Sequence, residues 1–166
     1  METTVKLRKV DGTCYAFDYD QPKYYNYRQA QSKCKTQFGN GVKGTLFEPR
    51  FQQTMDKVFG MATEFWNSGV MYDSHKYTVI GVKYDPIDEK FKYVSDGKPI
   101  MIAPWGLNSP REYAMWGNNT CVSASWFSKY WWDVQCHEST SYRYVICELQ
   151  KKGKYVQKIL KIELEF

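Results

Sequence analysis

Several things are missing from this sequence, and each absence narrows what it can be. No run of about 18 apolar residues occurs, so no helix is expected to insert in a membrane. The opening METTVKLRKVDG lacks the apolar stretch of a signal peptide. That leaves either a cytosolic protein or a mature or excised extracellular domain carrying an added start Met. Histidine occurs only at His75 and His137, and the second adjoins Cys136, too cramped for two ligands of one metal. C-x-x-C is absent, which removes zinc ribbons and dithiol redox motifs. There is no nucleophile elbow, phosphate-binding loop or metalloprotease helix motif, so no enzyme is expected. The scattered acids Asp85, Asp88 and Glu89 read as a solvated turn. Without repeats, linkers or low-complexity tracts, the 166 residues read as one domain long enough to bury a sizeable core.

What is present is more specific. The net charge of +5 is spread along the chain. Nucleic-acid binding would need a concentrated basic stripe, so no nucleic-acid partner is expected. The densest basic region is the tail, with Lys151, Lys152, Lys154, Lys158 and Lys161, partly offset by Glu163 and Glu165; it reads as a solvated extension. Of five cysteines, Cys121, Cys136 and Cys147 crowd the last third while Cys14 and Cys34 stand upstream. That distribution reads as a disulfide framework joining distant segments, which implies an oxidising compartment and leaves one cysteine over. Aromatic residues make up 17% of the chain, and such rings serve packed cores and binding surfaces alike.

The pattern along the chain predicts an α+β domain. Residues 5–19 read as extended, and the alternation of Tyr15, Phe17 and Tyr19 predicts a half-buried strand. In NYRQAQSKCKTQF, Tyr27, Ala30, Gln31, Cys34 and Phe38 recur at helical spacing, with Asn26 as cap and Gly39 as stop. Pro49 opens a second helix from about residue 50, with an apolar stripe of Phe51, Met55, Val58 and Phe59. YTVIGVKYD reads as a buried strand, and KFKYVSDGKPI as a strand that turns at Asp96-Gly97. From about 98 to 120 all periodicity is lost, and an irregular segment of that length inside a compact domain is usually functional. TCVSASWF, KYWWDVQC and YRYVICEL are strand-like, and the alternating LKIELEF predicts one more strand in the tail.

In fixed order, these pieces resemble the C-type lectin-like domain over residues 13–149. CYAF is similar to its opening strand, YRQAQSKC to its first helix, and GTLFEP to the step before its second helix. VIGV stands for its Trp-Ile-Gly-Leu core strand, and FKYVSDGKP for its aromatic-x-aromatic-x-Ser-Asp-Gly-x-Pro run. Trp105, WWDVQC and YVICE complete the series. The resemblance implies a disulfide-stapled domain over 1–149 with an extension over 150–166, two helices, small antiparallel sheets and a long irregular loop. It also implies the disulfides Cys34–Cys147 and Cys121–Cys136. Cys14 is then either a buried thiol or one half of a bridge that makes a homo-oligomer. The implied setting is extracellular, as a secreted protein or the ectodomain of a membrane protein.

The sugar-binding members of that family hold calcium with a Glu-Pro-Asn or Gln-Pro-Asp triplet, an acid before the third conserved Cys, and a Trp-Asn-Asp triplet. Pro110 falls at the expected spacing after Trp105, but its neighbours are Ser109 and Arg111. Asn119 replaces the acid before Cys121, and Trp132 replaces the amide before Asp133. Only Asp133 is kept as a carboxylate, and Arg111 would put a positive charge where the metal should sit. The expectation is therefore no cofactor, with calcium as the alternative, Glu112 being one residue from a useful position. Arg111 and Asp133 are expected to pair in place of the metal. A calcium-independent recognition module would then bind a protein or glycan ligand through Ser109, Arg111, Glu112, Tyr113, Trp116, Asn119, Trp132 and Asp133, with Trp126, Phe127 and Tyr130 as further rings of an aromatic surface; the alternative for Tyr113, Trp116, Trp126, Phe127, Tyr130 and Trp132 is that they fill a small core of the loop itself. Trp131 is expected in the core. Asn118-Asn119-Thr120 matches the N-glycosylation acceptor pattern at Asn118, which would make the chain a glycoprotein.

Overall fold

The computed structural model describes residues 4–19, 25–36, 43–67, 76–110, 116–137, 142 and 144–150. The tail from 151 onward, with its expected strand, and Gly39 lie outside these residues. Strands β1 (Thr4–Val10) and β2 (Thr13–Tyr19) form a hairpin closed by Asp11 and Gly12, both at positive φ. An Asp-Gly pair suits that left-handed geometry. The Asp11 carboxylate accepts hydrogen bonds from Thr54 Oγ1 and Lys57 Nζ, both at 2.8 Å, tying the hairpin to the second helix.

Helix α1 (Tyr27–Thr36) starts at a reciprocal cap: the Gln29 N–H donates to Asn26 Oδ1, and the Asn26 N–H donates to Gln29 Oε1. It buries Tyr27, Ala30 and Cys34 and turns Arg28, Ser32 and Lys35 outward. Strand β3 (Lys43–Leu46) leads to helix α2 (Gln52–Asn67), which buries Met55, Val58, Phe59, Ala62 and Trp66. Phe51 stands just outside the helix and is 59% exposed, so it does not belong to the expected stripe.

Strands β4 (Tyr77–Asp85), β5 (Lys90–Tyr93), β6 (Thr120–Ser125), β7 (Trp131–Gln135) and β8 (Tyr144–Gln150) complete one sheet among the described residues. Its order is β1-β2-β8-β4-β6-β7, with β3 on β8 and β5 on β4. Pairing is antiparallel except for a short parallel contact between β4 and β8.

The sheet is buried on both faces. Tyr15, Phe17, Ile80, Tyr144 and Ile146 pack into a core with α2, while Ala16, Val79, Val145 and Cys147 pack into a second core with α1. The half-buried reading of β2 is therefore corrected: its large rings face α2, and its small residues Cys14 and Ala16 face α1. A period of two separates large from small side chains here, not apolar from polar. The disulfides Cys34–Cys147 and Cys121–Cys136 staple α1 to β8 and the end of β7 to β6. Cys14 stands outside both and is only 3% exposed, within β2 between β1 and β8. A bridge from it to a second subunit would require the α1-side core that covers its side chain to open.

Candidate functional site

The irregular segment begins at a buried ionic knot. Glu48 is 4% exposed; its carboxylate accepts from the Ser95 N–H at 2.8 Å, the Ser95 hydroxyl, and Arg50 Nη2 at 3.0 Å. Arg50 also pairs with Asp96 at 3.0 Å and lies 4.1 Å over the Tyr93 ring. The Tyr93 hydroxyl donates to the Pro49 carbonyl and accepts from the Met101 N–H. Removing Arg50 would leave the buried Glu48 carboxylate without its cation, which is why such networks hold a single geometry. The Glu-Pro step before α2 is thereby locked to the Ser-Asp-Gly turn from which the irregular segment departs.

Behind this knot stands Glu148, whose Oε1 accepts from the Glu48 N–H at 3.1 Å. Burial and then the Glu48 carboxylate push the Glu148 carboxyl up to about 7, against the lowering pull of that N–H and of Arg50. A carboxyl raised in the folded state holds a proton that the unfolded chain has already lost. Its contribution is therefore complete below about pH 4.5 and is lost as pH rises through 7. Glu148→Gln keeps an acceptor for the Glu48 N–H and carries no charge. It should stabilise the protein at pH 8 by about 2 kcal/mol after discounting for partial exposure, and by almost nothing at pH 4.5. Denaturant unfolding at the two pH values checks this, and an equal effect at both would remove the titration from the explanation.

Further on, the segment is pinned to β7. Trp131 N–H donates to the Pro104 carbonyl at 2.9 Å, and the Gly106 N–H donates to the Trp131 carbonyl at 2.8 Å. The Trp105 ring meets Trp131 edge-on with centroids 6.0 Å apart and tilts against Phe91 at 4.9 Å. Trp131 is fully buried. Trp132, on the other side of the strand, lies close against Gly106: a Cβ there would fall 2.5–2.7 Å from the indole. The same indole meets Tyr77 edge-on at 5.5 Å and Tyr130 at 6.5 Å. Trp132 is thus half-buried and held on three sides, with Tyr130 (53% exposed) and Leu107 (88% exposed) nearby in the chain pattern. Phe127 is also half exposed, with Lys76 Nζ 4.1 Å over its ring. Trp126 is 1% exposed and packs against Trp66 and Tyr144, so of the two places open to it, surface or core, it takes the core.

Of the expected binding residues, Arg111, Glu112 and Tyr113 lie outside the described residues, and with them the Arg111–Asp133 pair. Ser109 precedes Pro110 through a cis peptide bond, and its N–H donates to the Gly106 carbonyl. Its Oγ is buried with no hydrogen-bond partner among the described residues, as is Asn119 Oδ1. Asn119 ends a 3₁₀ turn (Gly117–Asn119) capped by the half-buried Trp116, and its carbonyl accepts from the Cys136 N–H. Asp133 is 6% exposed in β7, opposite Val122. Asn118 is exposed. Calcium wants six to eight oxygens, several of them charged. The described residues offer one carboxylate and two neutral oxygens here, and no group of three or more His, Cys, Asp or Glu occurs among them. Those described donors alone fall short of that number, and Glu112, the acid one residue from a useful position, lies outside the described residues. Tyr77 and Gly106 were missed by the sequence reading; the glycine after Trp105 was the available signal, because a backbone approached by a large ring cannot carry a Cβ.

Similarity to solved structures decides the architecture. SPL-1 in complex with GlcNAc superposes with a TM-score of 0.63 at 19% identity, covering 86% of this chain and 90% of that one. The carbohydrate-recognition domain of cow CD23, solved with a GlcNAc2Man3 oligosaccharide, gives 0.64 at 17% identity, covering 89% and 95%. The chain has the C-type lectin-like fold. A third structure with this fold, the Ca2+-independent C-type lectin SPL-2 from Saxidomus purpuratus, gives 0.62 at 18% identity, covering 86% and 89%. No family model and no curated protein matches the sequence. In the C-type lectin-like fold of this chain, the two helices cover opposite faces of the sheet, and the irregular segment is carried between β5 and β7. No helix among the described residues is long and apolar enough to cross a membrane.

Proposed function

We infer that this chain is a carbohydrate-recognition module that binds without calcium, through the aromatic surface built on β7. The observation that carries the reading is Trp132. Its indole is held by Gly106, Tyr77 and Tyr130 yet is only half-buried, so the part that meets solvent is a rigid apolar face offered at little entropic cost. Such a face suits the C–H side of a sugar ring. Solved structures of the same fold include one with GlcNAc bound and one described as Ca2+-independent, which makes glycan a stronger reading than a protein ligand. The donor set around Ser109, Asn119 and Asp133 supports the calcium-free form. Two disulfides suit an oxidising, extracellular setting. No catalytic role is proposed.

A glycan array with excess calcium and with chelator tests this, read beside the melting temperature in both conditions. The expected result is glycan binding indifferent to chelator, no shift in melting temperature, and at least a tenfold loss in Trp132→Ala. An ion that binds only the folded state adds about 2.7 kcal/mol at a hundredfold over its dissociation constant. A clear rise in melting temperature with calcium would therefore replace this reading with the calcium-dependent one. Absence of any glycan ligand would leave a protein partner for the same surface.

A further inference from the structure

A second feature shares no residue with that surface. A cleft of about 420 Å³ runs along the exposed side of α1 and is closed by the end of β4 and by His137 just beyond β7. Among the described residues, its walls carry three permanent cations, Arg28, Lys35 and Lys83, and no acid. None of the three forms an ion pair among the described residues, whereas Lys33, on the same helix, is bound to Asp18 at 2.9 Å. Like charges gathered in one concavity repel each other, so the arrangement costs stability unless an anion fills it. The acid lying behind the wall is Glu48, and it is already engaged by Arg50 and Ser95.

The backbone that carries these groups is unusually well held. The Tyr27 N–H donates to the Cys136 carbonyl at 3.2 Å, fastening the start of α1 to the residue before His137. Cys136 is bridged to Cys121, which is the sheet partner of Lys83. The far end of α1 is bridged through Cys34 to β8. Both walls therefore rest on disulfides, and a site built on rigid elements loses little entropy when it binds.

The chemistry selects among anions. Guanidinium and ammonium groups with the nearby Ser32 hydroxyl and His137 imidazole are donors matched to a tetrahedral oxyanion. A nucleic acid would want exposed rings on which bases stack. Of the two rings among the described lining residues, Tyr27 is 8% exposed with Lys83 Nζ 5.7 Å from its centroid, which leaves the single imidazole of His137 exposed, too few rings for a run of stacked bases. The volume accommodates a sugar unit or two and not merely an ion. We propose that the α1 cleft is a second binding site, for the sulfate ester of an acidic glycan, recognised by Arg28, Lys35 and Lys83.

The test is the affinity of the whole chain for a heparin-derived hexasaccharide, measured by fluorescence anisotropy beside its desulfated counterpart and mannose 6-phosphate. The exposed pair Arg28→Gln/Lys35→Gln should weaken hexasaccharide binding at least tenfold, and Lys83→Gln should weaken it severalfold, with the melting temperature of the first pair unchanged. Two controls remove charge at other positions: Lys6→Gln/Lys9→Gln on β1 removes two charges like the test pair, and glutamine at Lys151, Lys152, Lys154, Lys158 and Lys161 removes five. Each should cost less than about threefold, the loss expected from long-range screening-dependent attraction alone. Trp132→Ala should leave this binding intact, so the cleft can fail while the aromatic site stands, and the reverse. Equal losses in cleft and control variants, undiminished binding after desulfation, preference for the phosphosugar, or no binding of the wild-type chain would each overturn the proposal.

Discussion

Replacing Cys34 and Cys147 together by alanine should lower the free energy of unfolding by about 4 kcal/mol, the largest effect expected of any pair in the chain. The two residues are 113 positions apart, so the bridge closes most of the domain into one loop, and loop-closure entropy grows with loop length. The expected cost for the Cys121–Cys136 bridge, which spans only 15 positions, is about 3 kcal/mol on the same argument. The native state also leans on the longer bridge. Helix α1 has ten residues, too few to persist by itself in water, and Cys34 is one of the three side chains it buries. Beyond α1, the bridge reaches β8, which pairs with β2, β3 and β4. Guanidinium unfolding should show a lower midpoint together with a steeper dependence on denaturant, because the uncrosslinked unfolded chain exposes more surface. A loss below about 1 kcal/mol would mean that strain or residual structure cancels the chain-entropy term.

Trp131→Ala should cost about 4 kcal/mol, within the usual range for deleting a buried tryptophan. Its consequences should reach the binding surface as well. The Trp131 backbone holds both Pro104 and Gly106, its ring supports Trp105, and its neighbour Trp132 rests on Gly106. Hydrogen exchange at the Gly106 amide should therefore accelerate more than exchange in β2, where the two tryptophans make no contact of this kind. Trp131→Phe separates ring from N–H. The indole Nε1 is buried without a hydrogen-bond partner, so phenylalanine removes an unsatisfied donor along with some volume and should cost only about 1 kcal/mol. If Trp131→Phe proves as costly as Trp131→Ala, the packing account is wrong and the N–H matters.

Much of the architecture was legible because its signals are local. Helical spacing in YRQAQSKC and an Asn26 cap locate α1, and β-branched YTVIGVKYD coincides with β4. The ordered motifs pointed to the C-type lectin-like fold, which the solved structures share. The errors lie where one residue type serves two environments. Phe51 fits the helical stripe by position but falls before the first turn. Trp126 and its neighbour Phe127 are open to core or surface alike, and only the enclosure of Trp126 by Trp66 and Tyr144 separates them. Alternation of rings with small residues in β2 looks the same whether the second face meets water or α1. The irregular segment showed no period, since its order comes from hydrogen bonds to β5 and β7 and not from its own repeat.

By itself, the sequence determined the elements, their order and the poverty of carboxylates around Pro110, all properties that follow from residue type and spacing along one chain. Only the tertiary structure decided that Trp132 is held by Gly106 and Tyr77, that Glu148 is pressed against Glu48, and that Arg28, Lys35, Lys83 and His137 line one cleft. Those groups come from segments up to about a hundred residues apart. Charge, burial and ring contacts depend on distance in space, and distance in space is settled by the sheet order and the two disulfides that close it.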